Sequence, residues 1–259
     1  MARRVVLCTH SSLYSSRVLE ALLASPGVQV VGIVNSTRVL TARGPVLRDI
    51  GRLLRRSGLR YALHLWLATS AFELLAPRRR LHARARALGI PVLDTADINA
   101  SEGIAFVRAR APDLCLSAYF NQIVREPLLS LPRLGCINIH PSLLPRNRGV
   151  DPLFHARLRG EVNGGVTVHR LDAELDTGPL LRQQACALDH GESLMAGYDR
   201  LFRTGAALAL EAIAGLEDDS AGSPQQGAGN YDGWPDRQAA AQVRGLLGLE
   251  DYLRVVRRP

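Results

Sequence analysis

Cys136-Ile137-Asn138-Ile139-His140-Pro141-Ser142-Leu143-Leu144-Pro145-Arg146-Asn147-Arg148-Gly149 is the stretch on which the reading of this 259-residue chain turns. In a strand, residues two apart point the same way, so Ile137 and Ile139 fill one face while Asn138 and His140 share the other. Pro141 then stops the strand and places both polar side chains at its carboxyl end, where open α/β sheets bind ligands. A strand-end Asn and His serve as readily in a core or a cap, so the spacing alone leaves those roles open.

Outward from this strand, apolar runs alternate with segments of helical period, the pattern of βαβ units and a mainly parallel sheet. Val5–Cys8, Val28–Val34, Pro91–Leu93 and Leu114–Ala118 read as strands. Tyr14–Leu23 and Ser101–Ala111 read as helices, the first with Ser11 or Ser12 as N-cap. Further on, Asp151 is placed to cap a short helix Pro152–Leu158, with proline in its first turn. Gly165–His169 and Leu180–Ala187 alternate like strands, and Ser193–Leu216 is a long helix. Between Arg38 and Leu88 lies a Leu- and Arg-rich stretch, long for a crossover. Its VLRDIGRLLRRSG and LHARARALG segments read as amphipathic helices whose basic face is ordinarily a solvated one. The expected organisation is a domain over 1–216, a mobile connector over 217–230 and a small annex over 231–259. The connector, EDDSAGSPQQGAGN, is low in apolar residues, whereas the annex regains Trp234, Leu246, Leu247 and Tyr252.

Composition removes several classes of function. The chain contains no lysine, so a lysine Schiff base, pyridoxal-phosphate chemistry of the usual kind and a Walker A lysine are all excluded. The formal net charge of +8 is carried by arginine, which fits a GC-rich genome as well as a nucleic-acid surface. Cys8, Cys115, Cys136 and Cys186 are scattered without a Cys-x-x-Cys pair, so a reduced compartment and no metal site are expected. No window has the run of roughly 18 apolar residues that a spanning helix needs. MARRVVLCTH runs straight into a strand-like segment, so the expected location is cytoplasmic.

Three ordered motifs carry a family resemblance. CINIHPSLLPRNRG is similar to the signature strand and loop of the folate-dependent formyltransferases, a family that includes glycinamide ribonucleotide, methionyl-tRNA and sugar N-formyltransferases. Gly165-Val166-Thr167-Val168-His169 and Leu175-Asp176-Thr177-Gly178-Pro179 follow in that family's order and spacing, and Ser117–Val124 resembles its pterin-flanking segment. The resemblance implies an α/β fold: a Rossmann-like open, mainly parallel twisted sheet with helices on both faces, here with a small C-terminal helical annex. It implies 10-formyltetrahydrofolate as co-substrate and an amine as formyl acceptor. It also implies that Asn138, His140 and Asp176 are the catalytic trio. An amine attacking the formyl carbon creates an anionic oxygen, to which the Asn138 amide and a protonated His140 can donate. Asp176 can hold His140 in its charged state or orient a water that relays the amine's proton. His169 is expected to pack beside the site. In the family the pterin is read by main-chain groups, which implies Phe120, Gln122, Val124, Leu171, Asp172 and Leu175 around it.

The chain also departs from the family's pattern. Thr9-His10-Ser11-Ser12-Leu13-Tyr14 stands where the glycinamide branch has a glycine-rich phosphate loop. Arg148-Gly149-x-x-Pro152 is closer to the tRNA and sugar branches, and the tail after Leu216 is shorter than the family's RNA-binding domain. The expected acceptor is therefore a small-molecule amine (an amino sugar, an amino-acid-like amine or a hydroxylamine), with neither nucleic acid nor membrane as partner. A homodimer is compatible with this reading. The competing readings are formylation of methionyl-tRNA, hydrolysis of 10-formyltetrahydrofolate with water as acceptor, and a non-catalytic folate- or RNA-binding module.

Overall fold

The N-terminal alternation is realised as strand β1 (Arg3–Thr9), helix α1 (Leu13–Ala24) and strand β2 (Val28–Ser36) in a computed structural model that describes residues 1–39, 46–218 and 220–257. Ser12 starts α1 through a reciprocal box: its Oγ accepts from the Ser15 amide at 3.0 Å, and its own amide donates to Ser15 Oγ at 2.8 Å. The Leu- and Arg-rich stretch follows as helix α2 (Val46–Trp66), a π-helical turn (Leu67–Ala71), helix α3 (Phe72–Leu75), a 3-10 turn (Pro77–Arg79) and helix α4 (Leu81–Ala87). Positions 40–45 of that stretch lie outside the described residues, as do 219 of the expected connector and 258–259 of the annex. Gly58, at φ 79°, breaks α2 into two helical runs.

Next come strand β3 (Val92–Thr95), helix α5 (Ser101–Arg110) and strands β4 (Leu114–Ala118), β5 (Cys136–His140) and β6 (Arg148–Gly149). Helix α6 (Pro152–Leu158), strands β7 (Asn163–Arg170) and β8 (Leu180–Ala187), helix α7 (Leu194–Gly215), strand β9 (Tyr231–Asp232) and helices α8 (Arg237–Gln242) and α9 (Leu249–Arg257) complete the chain. Seven strands form one sheet in the order β3-β2-β1-β4-β5-β7-β8. The pairs from β3 to β5 are parallel, and β5–β7 and β7–β8 are antiparallel. This is the expected open, mainly parallel sheet, with helices on both faces.

Successive β1 residues divide between two cores. Val5 and Leu7 join α1 and α7 on one side, and Val6 and Cys8 join Val107 of α5 on the other. A buried ion pair from Arg17 Nε to Asp199 Oδ1, 2.8 Å long, ties α1 to α7. The annex docks through buried Leu246 and Tyr252, with α8 against α2 and α9 against α7.

Two local expectations change. Strand β3 begins after Pro91 and runs to Thr95, and its polar Asp94, which accepts from Asn35 Nδ2 at 2.6 Å, hides the strand from an apolar pattern. Asp151 occupies the N-cap position of α6 at φ 53° without capping it, because its carboxylate accepts from Tyr61 and Tyr198 instead. The segment expected as a connector bonds to the rest of the chain at Ser223 and Asn230. Ser223 exchanges backbone bonds with Leu180, and Asn230 Oδ1 accepts from the Asn147 amide at 2.9 Å.

Candidate functional site

Asn138 and His140 stand at the carboxyl end of β5, the last parallel strand, where β7 runs antiparallel beside it. This register sets His169 directly opposite Asn138. Asn138 Nδ2 donates to His169 Nε2 at 3.2 Å, while His169 Nδ1 donates to the Arg170 carbonyl at 2.8 Å. Those roles require a neutral ring, and burial supplies it by pushing the His169 pKa down to about 4 against the raising influence of Asp176. His140 Nε2 donates to the Asn147 carbonyl at 2.8 Å, and its Nδ1 stands 3.6 Å from Asp176 Oδ1. At 3.6 Å the contact with Asp176 is longer than a hydrogen bond, so Nδ1 is the ring nitrogen left for a substrate.

Asp176 approaches from the loop between β7 and β8 at φ 56°, a conformation Asp tolerates better than most residues. Its Oδ2 accepts from the Gly149 amide at 2.8 Å. Its carbonyl, together with that of Gly178, is held by Gln225 Nε2 at 2.9 Å. The three residues named from sequence thus converge on one point.

They open into a cavity of about 1200 Å³, larger than a pocket for one small ligand and roomy enough for a donor and an acceptor together. Phe120, Gln122 and Leu175 line it, whereas Val124, Leu171 and Asp172 lie outside its wall. Val124 and Leu171 pack in the α5-side core, and Asp172 accepts from Thr177 Oγ1 at 2.8 Å. The Gln122 side chain is already engaged: Oε1 accepts from the Ile98 amide at 2.8 Å, and Nε2 donates to Ser36 and Thr95. A ligand meeting Gln122 would therefore meet its main chain. Among the described residues, no group of three or more His, Cys, Asp and Glu could hold a metal ion, and no helix is long and apolar enough to cross a membrane.

Residues 78–213, just over half of the chain, match the family model described as formyl transferase. The chain belongs to the formyl transferase family. A methionyl-tRNA formyltransferase of Pelobacter propionicus is 40% identical over 129 residues, 50% of this chain and 40% of that protein. One from Roseobacter denitrificans is 34% identical over 178 residues, 68% of this chain and 58% of that protein. The chain spans about half the length of the curated relatives it matches. Two solved structures share the fold. Glycinamide ribonucleotide transformylase 1 of Symbiobacterium toebii superposes with a TM-score of 0.57 at 21% identity, covering 82% of this chain and 86% of that one. A sugar N-formyltransferase from a Shewanella species gives 0.58 at 18% identity, covering 98% and 86%.

Several groups of this formyl transferase family member carry no signal in residue spacing. The Asn147 carbonyl and the Gly149 amide, which hold His140 and Asp176, are main-chain atoms. His169 was within reach of sequence reasoning, since an antiparallel β7 of the right register places it opposite Asn138. Tyr14, Tyr61 and His64, which line the cavity, precede the matched residues. At the start of α1, where a phosphate loop would lie, Ser11 Oγ donates to Glu73 Oε1 at 2.5 Å and the Ser11 amide donates to Asn35 Oδ1 at 2.9 Å. The hydroxyl and the amide of Ser11 are thus both engaged within the chain, the hydroxyl by a carboxylate.

Proposed function

We propose that the protein transfers the formyl group of 10-formyltetrahydrofolate to the amine of a small-molecule acceptor, with Asn138, His140 and Asp176 as its catalytic residues. The observation that carries this reading is their convergence at one end of a cavity large enough for two substrates. Asn138 offers the amide hydrogen that His169 does not take, and His140 a ring N–H, to an oxygen that becomes negative as an amine adds to a formyl carbon. As the new C–N bond forms and the donor's breaks, one proton leaves the amine and one reaches the departing nitrogen. Asp176, anchored by the Gly149 amide, is the base placed to hold that proton. The main chain at Phe120 and Gln122 suits the polar edge of the donor's pterin, and the side chain of Leu175 suits its ring face. A small acceptor without phosphate is supported by the wall of Tyr61, His64, Tyr198 and Trp234 and by the Glu73 carboxylate at the Ser11 hydroxyl, which would repel a phosphate there.

One observation favours a second reading. The relatives described above are methionyl-tRNA formyltransferases, and Arg48, Arg55, Arg56 and Arg60 are exposed on α2. Absorbance-monitored turnover of 10-formyltetrahydrofolate, run against a panel of amines and against initiator methionyl-tRNA, separates the two. Amine-dependent loss of the donor that collapses in Asn138→Ala and Asp176→Ala is the expected result. Robust formylation of the tRNA, with binding that weakens steeply with salt, would replace the small-molecule acceptor. Tetrahydrofolate release without any amine would make the protein a hydrolase.

A further inference from the structure

The wall of the cavity around Asp151 carries an unbalanced charge. Its carboxylate accepts from Tyr61 Oη at 2.5 Å and from Tyr198 Oη, and no arginine or histidine among the described residues pairs with it. A carboxylate has about four lone-pair positions, so two phenols leave room for a further donor. Nor does Asp151 serve the helix it precedes directly: Tyr198 Oη accepts from the Leu153 amide at 3.0 Å and passes that bond on to Asp151. The residue keeps a left-handed backbone, at φ 53°, in order to point its charge at these phenols.

The surrounding polar atoms are unfinished as well. Tyr14 Oη, His64 Nδ1 and Trp234 Nε1 are shut from solvent without a hydrogen-bond partner, and all three residues line the same cavity. Tyr14 and His64 are only 1% and 2% exposed, so bulk water does not satisfy them. Burial lowers the His64 pKa, leaving a neutral ring, and it does the same at His10 on the cavity wall. The cavity's arginines are engaged or exposed elsewhere. Arg38 lies 3.6 Å from Asp97, the exposed Arg56 donates to the Trp234 carbonyl, and Arg125 is exposed. One carboxylate with no cation beside it, bonded by two phenol hydroxyls, is an environment that attracts an ammonium group more strongly than a neutral hydroxyl.

We propose that this end of the cavity is a subsite for a second positively charged nitrogen on the acceptor, so that the substrate class is an aliphatic diamine or diamino compound. The inference rests on the formyl-transfer reading and narrows it. Asp151 lies two residues beyond Gly149, whose amide holds Asp176, and two residues of chain span at most about 7 Å. Asp151 and the trio line the same cavity, so a short-chain diamine is the probe for this pair of positions.

The test is calorimetric binding of 1,4-diaminobutane, n-butylamine and 4-amino-1-butanol to the full chain, followed by KM for each with 10-formyltetrahydrofolate as donor. The diamine is expected to bind at least about tenfold tighter than either analogue, with the same order in KM. Asp151→Asn, which keeps the shape and an acceptor for the phenols, is expected to erase that preference. Should the variant fail to fold, the ligand series on the unaltered protein decides alone. Equal binding of all three amines, or a preference that survives in Asp151→Asn, would overturn the subsite. Diamine preference without formyl transfer would support the cation subsite and sink the transferase reading, whereas equal transfer to all three amines would do the reverse.

Discussion

Asn138 has two amide hydrogens, and His169 takes one of them at 3.2 Å, leaving the other aimed by that bond. Asn138→Ala is expected to lower kcat by about 10²–10³, the usual effect of losing one oxyanion donor, with KM for the formyl donor changed only a few-fold. Steady-state kinetics check this, and a loss residing in KM would move Asn138 to ground-state binding. On the formyl-transfer reading His169 would act through Asn138, as a positioning residue. His169→Leu should reduce kcat by roughly tenfold without altering either KM, and His169→Gln, which retains an acceptor, should recover part of the loss. A His169→Gln variant no better than His169→Leu would reduce His169 to packing. At this scale the sequence is legible where chemistry resides in side chains: Asn138, His140 and Asp176 stand in recognisable motifs and meet in space. What holds them is largely main chain, the Asn147 carbonyl and the Gly149 amide, and such atoms leave no mark in a list of residue types.

Strand β5 owes its position to what lies beneath it. Ile137 and Ile139 face α7, and the approach of that helix is set by Gly205: a Cβ there would run into Ile139 Cγ2 and meet Val166 Cγ1 at 3.0 Å. Both neighbours are buried β-branched side chains with little freedom to yield. Gly205→Ala is therefore expected to cost about 1–3 kcal/mol despite alanine's better helix propensity. Because Ile139 lies between Asn138 and His140, its displacement should also lower kcat. Gly51→Ala in α2, where nothing lies within 4 Å, is the control, expected to be neutral or to stabilise by up to about 1 kcal/mol. Urea unfolding of the two variants measures the contrast, and equal midpoints would show that α7 has slack. Periodicity located α7, because burial repeats along one helix. It could not locate Gly205's neighbours, because a contact between α7 and β5 depends on how far apart two elements settle. The same limit hid the short β6–β9 pair, where Arg148 and Gly149 lie beside Tyr231 and Asp232.

Over the whole molecule, the alternation of apolar runs foretold the sheet and its helices, but not the closure of the cavity. That closure needs α2 from one end of the chain and the annex from the other, joined where Ser57 Oγ donates to the Pro235 carbonyl at 2.6 Å and Arg237 to the Leu54 carbonyl at 3.0 Å. Composition spoke of charge, yet the histidines that matter for acid stability are those that folding hides. Burial lowers the pKa of His10, His64 and His169, the last to about 4. An unfolded chain takes up protons at these rings near pH 6.5, while the folded chain refuses them. The stability they support is thus fully present above about pH 6.5 and drains away as pH falls, for His169 down to about 4. For His169 alone the interval from the ordinary value to about 4 corresponds to about 3 kcal/mol. Urea midpoints are accordingly expected to fall steadily from about pH 7 to about pH 4.5, with a shallower fall in His169→Gln, which has no proton to refuse. Parallel pH dependences in the two proteins would mean that His169 titrates alike in the folded and unfolded chains. The neutral acceptor that orients Asn138 would then be absent at mildly acid pH, and activity lost below about pH 6 would trace to that bond rather than to unfolding.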